Sequence, residues 1–224
     1  MDTNKKIPAC IGIILDGNRR FAKEKGLPSL EGHRQGAERL MDTARWVRDR
    51  GVKHLAVYAF STENWNRSEE EVSYLMKLFR TIVETRFKEL AQENVRIRFV
   101  GQRERFDSEM QAQMQRVEDE SAKNDALTLW VCFSYGGRAE IVAAARAAGE
   151  ITESSIAEHL WTAGMPDPDI IIRPGGEKRL SGFLTWQSIY AELFFIDEYW
   201  PDFSETLLDS ILTEYAKRER RIGT

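Results

Sequence analysis

Cysteine is scarce in this chain of 224 residues, which contains only Cys10 and Cys132. Both stand in apolar runs, so we expect two buried free thiols and no cysteine-based metal site. Long hydrophobic runs are absent too, because no stretch approaches the ~18 apolar residues of a membrane span. The apolar segment 7–15 is interrupted by Pro8 and Gly12 and is followed by no small-residue cleavage site, which favours a buried strand over a signal peptide. We therefore expect a cytoplasmic protein with no stable membrane insertion.

An excess of positive charge is also missing, since 32 Lys and Arg residues face 36 Asp and Glu residues and give a net charge of −4. This balance argues against a duplex-DNA-binding protein and predicts no nucleic acid partner, although a local group of arginines can still hold a small anion. The patterns G-x-x-x-x-G-K-[ST] and G-x-G-x-x-G are absent, so neither a nucleoside-triphosphate enzyme nor a Rossmann dehydrogenase is indicated. Aromatic residues are plentiful, with 11 Phe, 6 Trp and 6 Tyr, which excludes a disordered chain.

Short apolar runs alternate along the chain with longer amphipathic segments. Several of the short runs are apolar on both faces, which is typical of parallel strands covered by helices. No linker or repeat marks a boundary, so we expect an α/β fold with a single domain over residues 1–224, a mainly parallel central sheet and flanking helices. The predicted strands are 11–15, 54–60, 95–100, 127–133, 169–172 and 193–196, and the predicted helices cover 37–47, 68–94, 107–123, 138–148 and 204–217.

Three of the predicted strands are followed by segments rich in arginine, glycine and small polar residues, at 16–20, 61–67 and 173–182. Ligands bind at the carboxyl ends of parallel strands, so these segments are expected to meet. Glycine lets a backbone approach a ligand closely, and arginine donates paired hydrogen bonds to a phosphate. Asp16 among arginines is expected where a divalent cation bridges a carboxylate and phosphate oxygens. Taken singly, each segment also fits an ordinary turn with solvated arginines, but together they predict one or two diphosphates beside a bound cation.

The same segments belong to a longer series of motifs that extends along the chain. The motifs are Asp16-Gly17-Asn18-x-Arg20, Gly32-His33-x-x-Gly36, Tyr58-Ala59-Phe60-Ser61-x-Glu63-Asn64-Trp65-x-Arg67, Glu71-Val72, Tyr135-Gly136-Gly137-Arg138, Ile172-Arg173-x-x-Gly176-Glu177-x-Arg179-x-Ser181, Tyr190-x-Glu192-Leu193 and Trp200-Pro201-x-Phe203. In this order and spacing they resemble the cis-prenyltransferases, the undecaprenyl diphosphate synthase family. The resemblance implies a hydrophobic tunnel within the α/β fold, a homodimer, and Mg²⁺-dependent transfer between isoprenyl diphosphates such as dimethylallyl and isopentenyl diphosphate.

Matching the sequence to the family position by position implies a role for each motif residue. Asp16 would bind Mg²⁺ beside the leaving diphosphate, with Glu192 as a second metal ligand. Arg173, Arg179 and Ser181 would bind the diphosphate of isopentenyl diphosphate. The implied catalytic residues are Asp16, His33, Ser61, Asn64 and Glu71. The other implied substrate-binding residues are Gly17, Asn18, Arg19, Arg20, Phe21, Trp65, Arg67 and Phe133, together with Arg221 and Gly223 of a C-terminal Arg-x-Gly that resembles one reaching a diphosphate site across the dimer.

Some positions depart from the pattern of the bacterial long-chain members. Ser29 stands where an arginine that grips the allylic diphosphate is common, and Arg19 replaces a frequent glycine and returns some of that charge. Pro174 stands where Thr or Ser is usual, which removes a hydroxyl and a backbone N–H from the loop after Arg173. Phe133 occupies a position where long-chain members tend to carry small residues, on a strand expected to line the tunnel with Trp130 as well.

A large ring at position 133 is expected to block growth of the product. We therefore expect a prenyl diphosphate synthase that condenses C5 units into a short-chain product. The altered diphosphate sites also fit a rarer reaction, the head-to-middle joining of two dimethylallyl diphosphates into a branched or cyclised lavandulyl-type skeleton. Long-chain synthesis and a non-catalytic partner subunit of a prenyltransferase complex are two further hypotheses, and the joint presence of Asp16, His33, Asn64, Arg67 and Glu192 speaks against the non-catalytic subunit.

Overall fold

Six short segments of the chain form the strands β1 (Cys10–Ile14), β2 (His54–Ser61), β3 (Val95–Val100), β4 (Leu127–Tyr135), β5 (Ile170–Arg173) and β6 (Glu192–Phe195). In the computed structural model, which describes residues 6–218, they pair into one sheet in the order β3-β4-β2-β1-β5-β6. Every neighbouring pair is parallel, which confirms the predicted α/β class. The strand bounds agree with the sequence prediction to within two residues at either end.

The segments between the strands are mostly helical, and they cover both faces of the sheet. The helices are α1 (Asn18–Glu24), α2 (Ser29–Asp49), α3 (Glu69–Thr81), α4 (Phe87–Gln92), α5 (Ser108–Ser121), α6 (Gly137–Ala147), α7 (Glu153–His159) and α8 (Glu205–Lys217). Short 3₁₀ turns span Thr62–Asn66, Arg103–Arg105 and Trp200–Asp202. None of the helices described between residues 6 and 218 is both long and apolar enough to cross a bilayer.

The long amphipathic pattern at 68–94 was expected to form one helix, and the structure divides it. The helices α3 and α4 are joined without a break by a π-helical turn at Ile82–Arg86. Such a turn inserts a residue into the helical repeat and shifts which side chains face inward, so Phe79 and Phe87 on either side of it both remain buried. The helix α7 was not predicted, since its seven residues are too few to display a clear period.

The side chains of β4 separate the two faces of the sheet. Phe133 packs in the larger apolar core, under α2, α3 and α5, whereas Trp130 packs in a second core on the other face. The expectation that both rings line one tunnel is therefore wrong for Trp130, because residues three apart on a strand point to opposite faces. Its indole Nε1 donates a hydrogen bond to Nδ1 of His54, at 3.2 Å.

Two glycines of α2 allow the short helix α1 to pack closely against it. A Cβ atom at Gly32 would stand 2.0 Å from the backbone oxygen of Asn18, and a Cβ at Gly36 would stand 2.2 Å from the Oδ1 of the same residue. Because the neighbour at Gly32 is backbone, it cannot move aside as a flexible side chain would. The glycine spacing of the Gly32-His33-x-x-Gly36 motif is thus explained by packing, and it fixes the segment that follows β1.

Replacing Gly32 by Ala is expected to lower the free energy of unfolding by about 1–3 kcal/mol, because overpacking forces the two helices apart. Urea unfolding followed by circular dichroism measures this loss. Gly149→Ala is the matched control, since a Cβ there meets no atom within 4 Å. Equal stability of the two variants would contradict the packing account.

Candidate active site

The carboxyl ends of the strands surround a polar cavity of about 1050 Å³. Asp16 follows β1, Ser61 ends β2 and Arg173 ends β5, and all three line it. The three predicted segments therefore meet at one edge of the sheet, as expected for a parallel sheet. A second, cationic cavity of about 510 Å³ adjoins the first and shares Asp16 and Arg67 with it.

Asp16 lies between two guanidinium groups. Its Oδ2 accepts a hydrogen bond from Nη2 of Arg173 at 2.9 Å, and its Oδ1 is 3.2 Å from Nη2 of Arg20. The backbone N–H of Gly17 also donates to Oδ1, at 2.6 Å. These contacts leave the carboxylate partly exposed at the cavity, where it holds the ends of β1 and β5 together.

Arg173 is the most deeply buried charge of the site, with 4% of its surface exposed. A buried charge needs partners, and Arg173 finds them in Asp16, in the hydroxyl of Ser181 at 2.9 Å and in the backbone oxygen of Arg179. Ser181 adopts a left-handed backbone conformation, with φ 52°. The loop after β5 is therefore folded back on the arginine at its own start, which places Arg179 and Ser181 on the wall of the polar cavity.

Glu177 on the same loop was given no role by the sequence. Its Oε2 accepts a hydrogen bond from Nη1 of Arg179, and its Oε1 is 3.6 Å from Nη1 of Arg20. Arg20 also donates to the backbone oxygen of Gly175, at 2.7 Å. The loop after β5 and the helix α1 are thus connected through Arg20, and the signal for Glu177 was its place within the Arg173-x-x-Gly176-Glu177-x-Arg179 motif.

The cationic cavity gathers positive side chains around the start of α1. Arg19, Arg20, Lys23 and Arg67 all line it, and so does Ser29, where an arginine was expected. The side chain of Arg19 is 61% exposed and lines this cavity. It therefore supplies a positive charge that Ser29 cannot supply. Gly17 and Asn18 line the same cavity, and the buried Oδ1 of Asn18 has no hydrogen-bond partner within residues 6–218.

Glu71, at the start of α3, lies close to the side chains of Arg67, Arg19 and His33. It accepts a hydrogen bond from Arg67 at 2.9 Å, and its oxygens lie 3.6 Å from Arg19 and 3.7 Å from Nε2 of His33. Its side chain is only 15% exposed and lines neither of the two cavities. Glu71, predicted to be catalytic, is therefore connected to the cavities only through the side chains that it contacts.

His33 borders both of these cavities and also a small apolar pocket beneath them. Burial lowers the pKa of its imidazole to about 4, and the positive charge of Arg67 contributes to this lowering. The ring is therefore neutral at pH 7, and its buried Nε2 has no hydrogen-bond partner within the described residues. His33 thus presents an uncharged polar group where the polar cavities meet the apolar pocket.

The segment after β2 is held by its own side chains. Ser61 and Asn64 form a reciprocal capping box at the 3₁₀ turn, and both line the polar cavity. Trp65 donates from Nε1 to the hydroxyl of Ser134 at 2.9 Å and packs on Phe60, away from both cavities and the apolar pocket. Phe21, also predicted to bind substrate, is buried within α1 and lines none of them either. The rings of Trp65 and Phe21 therefore pack inside the protein and do not form part of a cavity wall.

The apolar pocket is small, about 80 Å³, and Phe133 forms part of its floor. The Phe133 ring stacks on Phe79 with centroids 3.5 Å apart and on Phe106 with centroids 4.7 Å apart. These rings narrow the space between α3 and the sheet. The expected hydrophobic tunnel is therefore reduced, within residues 6–218, to a short pocket that opens beside Leu15, Asn18 and His33.

Glu192 lies away from Asp16 in the folded chain. It begins β6 and pairs with Ile170, which in turn pairs with Ile11 of β1. Asp16 comes five residues after Ile11, about 16 Å further along the strand direction at 3.3 Å per residue. Glu192 instead forms an ion pair with Arg218, at 2.6 Å. The prediction that Asp16 and Glu192 share a metal is therefore not supported within one chain, while Arg221 and Gly223 lie outside the described residues.

The site fits a Mg²⁺ ion held jointly with a ligand, with Asp16 as its protein contact. Within residues 6–218 no three His, Cys, Asp or Glu side chains are grouped to hold a metal by themselves. Mg²⁺ is commonly bound by one or two carboxylates together with waters and substrate phosphates, so a full protein cage is not needed. The Asp16 carboxylate has lone pairs beyond those used by its three donors, and it faces cavities lined by arginines.

A buried network under the cavity wall was not identified from the sequence. Glu140 of α6 is fully buried and accepts hydrogen bonds from the hydroxyl of Tyr135, from the backbone N–H and hydroxyl of Thr162 and from Nε2 of Gln187. The network ties α6 to the segment after Ser181. The only signal was that Glu140 follows the Tyr135-Gly136-Gly137-Arg138 motif.

The lowered pKa of His33 makes stability depend on pH. The unfolded chain protonates this ring near pH 6.5, whereas the folded chain does so only near pH 4. The contribution of His33 is therefore complete above pH 6.5 and is lost as the pH falls toward 4, by roughly 3 kcal/mol in total. Urea unfolding of wild type and His33→Gln across this range should show a steeper loss for wild type, and parallel losses would contradict the assignment.

Comparisons with known proteins agree with this geometry. Residues 14–223 match the sequence model of the prenyltransferase family described as putative undecaprenyl diphosphate synthase. An isoprenyl transferase of Agrobacterium fabrum is 43% identical over 99% of this chain and 94% of that protein. An isoprenyl transferase of Thermotoga maritima is 42% identical, and the match covers 97% of both proteins.

Two solved structures are similar over nearly their whole length. Lavandulyl diphosphate synthase from Lavandula x intermedia, crystallised with dimethylallyl diphosphate, has a TM-score of 0.93 and 32% identity over 97% of this chain and 99% of that one. A probable undecaprenyl diphosphate synthase from Campylobacter jejuni has a TM-score of 0.84 and 28% identity over 98% and 100%. The chain therefore belongs to the undecaprenyl diphosphate synthase family and is an enzyme that transfers prenyl groups.

Proposed function

We propose that this enzyme condenses C5 isoprenyl diphosphates into a short-chain prenyl diphosphate, with dimethylallyl diphosphate as donor and isopentenyl diphosphate as acceptor. The donor diphosphate binds in the cationic cavity among Arg19, Arg20 and Arg67, and the acceptor diphosphate binds at Arg179 and Ser181. Both sites lie on one edge of the sheet. The reacting carbons then meet between the two diphosphates, beside His33.

The charge distribution suits rupture of the allylic C–O bond. Negative charge moves onto the departing diphosphate, so arginines that contact it stabilise the transition state more than the ground state. Asp16 would hold a Mg²⁺ ion, which would supply further Lewis-acid stabilisation. A neutral His33 at the mouth of the apolar pocket adds no positive charge next to the allylic cation, and the surrounding apolar walls keep water from capturing it.

The observation that carries the short product is the size of the apolar pocket. An engineered protein cavity of about 150 Å³ holds one benzene molecule, which has six carbons. The pocket here is about 80 Å³, so it accepts little more than the tail of a C5 unit before it meets the Phe133–Phe79 stack. The limited depth of this pocket supports a short product over a long polyprenyl chain.

The head-to-middle joining of two dimethylallyl diphosphates is the second candidate. The observation that favours it is the TM-score of 0.93 to a lavandulyl diphosphate synthase crystallised with dimethylallyl diphosphate. Pro174 adds to this, because it offers no backbone N–H to an acceptor diphosphate beside Arg173. Both candidate reactions use dimethylallyl diphosphate as the donor, and they differ in which isoprenyl diphosphate is the acceptor.

A homodimer is also proposed, on the evidence of an exposed apolar segment. Ile189 is 72% exposed and Tyr190 is 56% exposed, and Leu193 at the start of the edge strand β6 is 39% exposed. Large apolar residues exposed in succession mark an interaction surface more often than a solvated face.

A cytoplasmic location remains a prediction from the sequence.

The substrates are tested by incubating the enzyme with Mg²⁺ and dimethylallyl diphosphate, with and without isopentenyl diphosphate, and analysing the dephosphorylated products. We expect a linear product only when both substrates are present. A branched product from dimethylallyl diphosphate alone would establish the head-to-middle reaction instead.

Asp16→Ala and added EDTA should both abolish turnover, and activity that survives both would overturn the proposed chemistry.

Phe133→Ala is expected to lengthen the product by at least one C5 unit, because it removes the ring that stacks on Phe79 and Phe106 at the floor of the pocket. Trp130→Ala is the matched control, since it removes a ring from the same strand but on the opposite face. Mass spectrometry of the products measures the chain length. An unchanged length in Phe133→Ala, or equal lengthening in both variants, would refute the pocket argument.

A further inference from the structure

One carboxylate connects the two groups of arginines that bind the two diphosphates. The Oε2 of Glu177 accepts a hydrogen bond from Arg179 on the acceptor side, and its Oε1 lies 3.6 Å from Arg20 on the donor side. Each oxygen of the carboxylate therefore faces a different guanidinium. The oxygens of a bound diphosphate would contact either arginine in the same way as the carboxylate oxygens of Glu177 do.

The backbone holds Glu177 in this bridging position. The preceding Gly175 and Gly176 have φ angles of 90° and 77°, which only glycine adopts without strain. Their N–H groups donate to the backbone oxygens of Glu198 at 2.7 Å and Ile196 at 2.8 Å. These two hydrogen bonds fix the turn against the segment after β6. The backbone of Glu177 is therefore held where its side chain can contact both arginines.

The charges of the site alternate along this connection. Arg173 pairs with Asp16, Asp16 with Arg20, Arg20 with Glu177, and Glu177 with Arg179. A bound metal accounts for Asp16 beside a diphosphate, but nothing in the proposed reaction requires a second carboxylate there. Glu177 would repel an arriving diphosphate, so its presence between two phosphate-binding arginines calls for another explanation.

We propose that Glu177 stands in for a diphosphate when substrate is absent and thereby couples the donor and acceptor sites, an inference that rests on the proposed function. The first diphosphate to bind must displace Glu177 from one arginine, which loosens its hold on the other. The second diphosphate then meets an arginine that is already released. Binding at either site therefore strengthens binding at the other by the same factor.

Inorganic pyrophosphate tests this coupling, because it can occupy either site whatever the true acceptor is. Calorimetric titration at constant Mg²⁺ should show positive cooperativity between two pyrophosphates per wild-type chain. Glu177→Gln should bind the first pyrophosphate about two- to five-fold more tightly and lose the cooperativity, a range set by the worth of a solvent-exposed ion pair.

Glu63→Gln is the matched control, because it removes one carboxylate charge from the wall of the polar cavity and leaves the contacts of Glu177 with Arg20 and Arg179 intact. It should leave the cooperativity intact. Thermal unfolding of each variant checks that the fold is retained. Weaker pyrophosphate binding or unchanged cooperativity in Glu177→Gln would overturn the coupling, as would equal effects in the two variants. Failure of wild type to bind pyrophosphate at all would instead overturn the proposed function.

Discussion

The ion pair between Asp16 and Arg173 is the interaction on which the site depends. Arg173 ends β5 and is almost fully buried, and Asp16 follows the adjacent strand β1. Removing the carboxylate would leave an unpaired charge in the protein interior, which is far more costly than losing an exposed pair. The pair therefore does more than position a carboxylate at the cavity. It also fixes the position of helix α1 relative to the loop that carries Ser181.

The apolar side of the site is limited by a local irregularity of the sheet. The pairing of β2 with β4 shifts register around Phe60, and Ser134 adopts a left-handed conformation with φ 51°. A shift of this kind bends a strand and re-aims the side chains beside it. Here it accompanies the placement of Phe133 against Phe79 and of the Ser134 hydroxyl against Trp65. Pocket depth and the position of the segment after β2 are thus determined at the same point of the chain.

The sequence predicted the strands and the three meeting segments well, because apolar runs and polar strand ends are local signals. The sequence could not show the register between paired strands or the face of the sheet on which each side chain lies. Glu192 begins its strand, at the end of the sheet opposite Asp16, and only the pairing of β6 with β5 reveals this. The pattern at 68–94 could not show the π-turn, since the apolar residues on both sides of the turn, such as Phe79 and Phe87, are buried as one continuous helix would also require. Glu177 lies within one recognisable motif and Glu140 follows another, but the contacts of both depend on partners distant in sequence.

Under the proposed function, the arrangement explains how one small site could ionise a substrate and still protect the cation that results. Charges of both signs are confined to the edge of the sheet, where a diphosphate can replace water as the partner of the arginines. The apolar pocket begins at His33 and Asn18, which border both regions. Because burial keeps His33 uncharged, this boundary adds no positive charge of its own beside the hydrocarbon. Under the proposed function, the reacting C–O bond would lie across this boundary, with the diphosphate on the side of the arginines and the carbon skeleton on the apolar side.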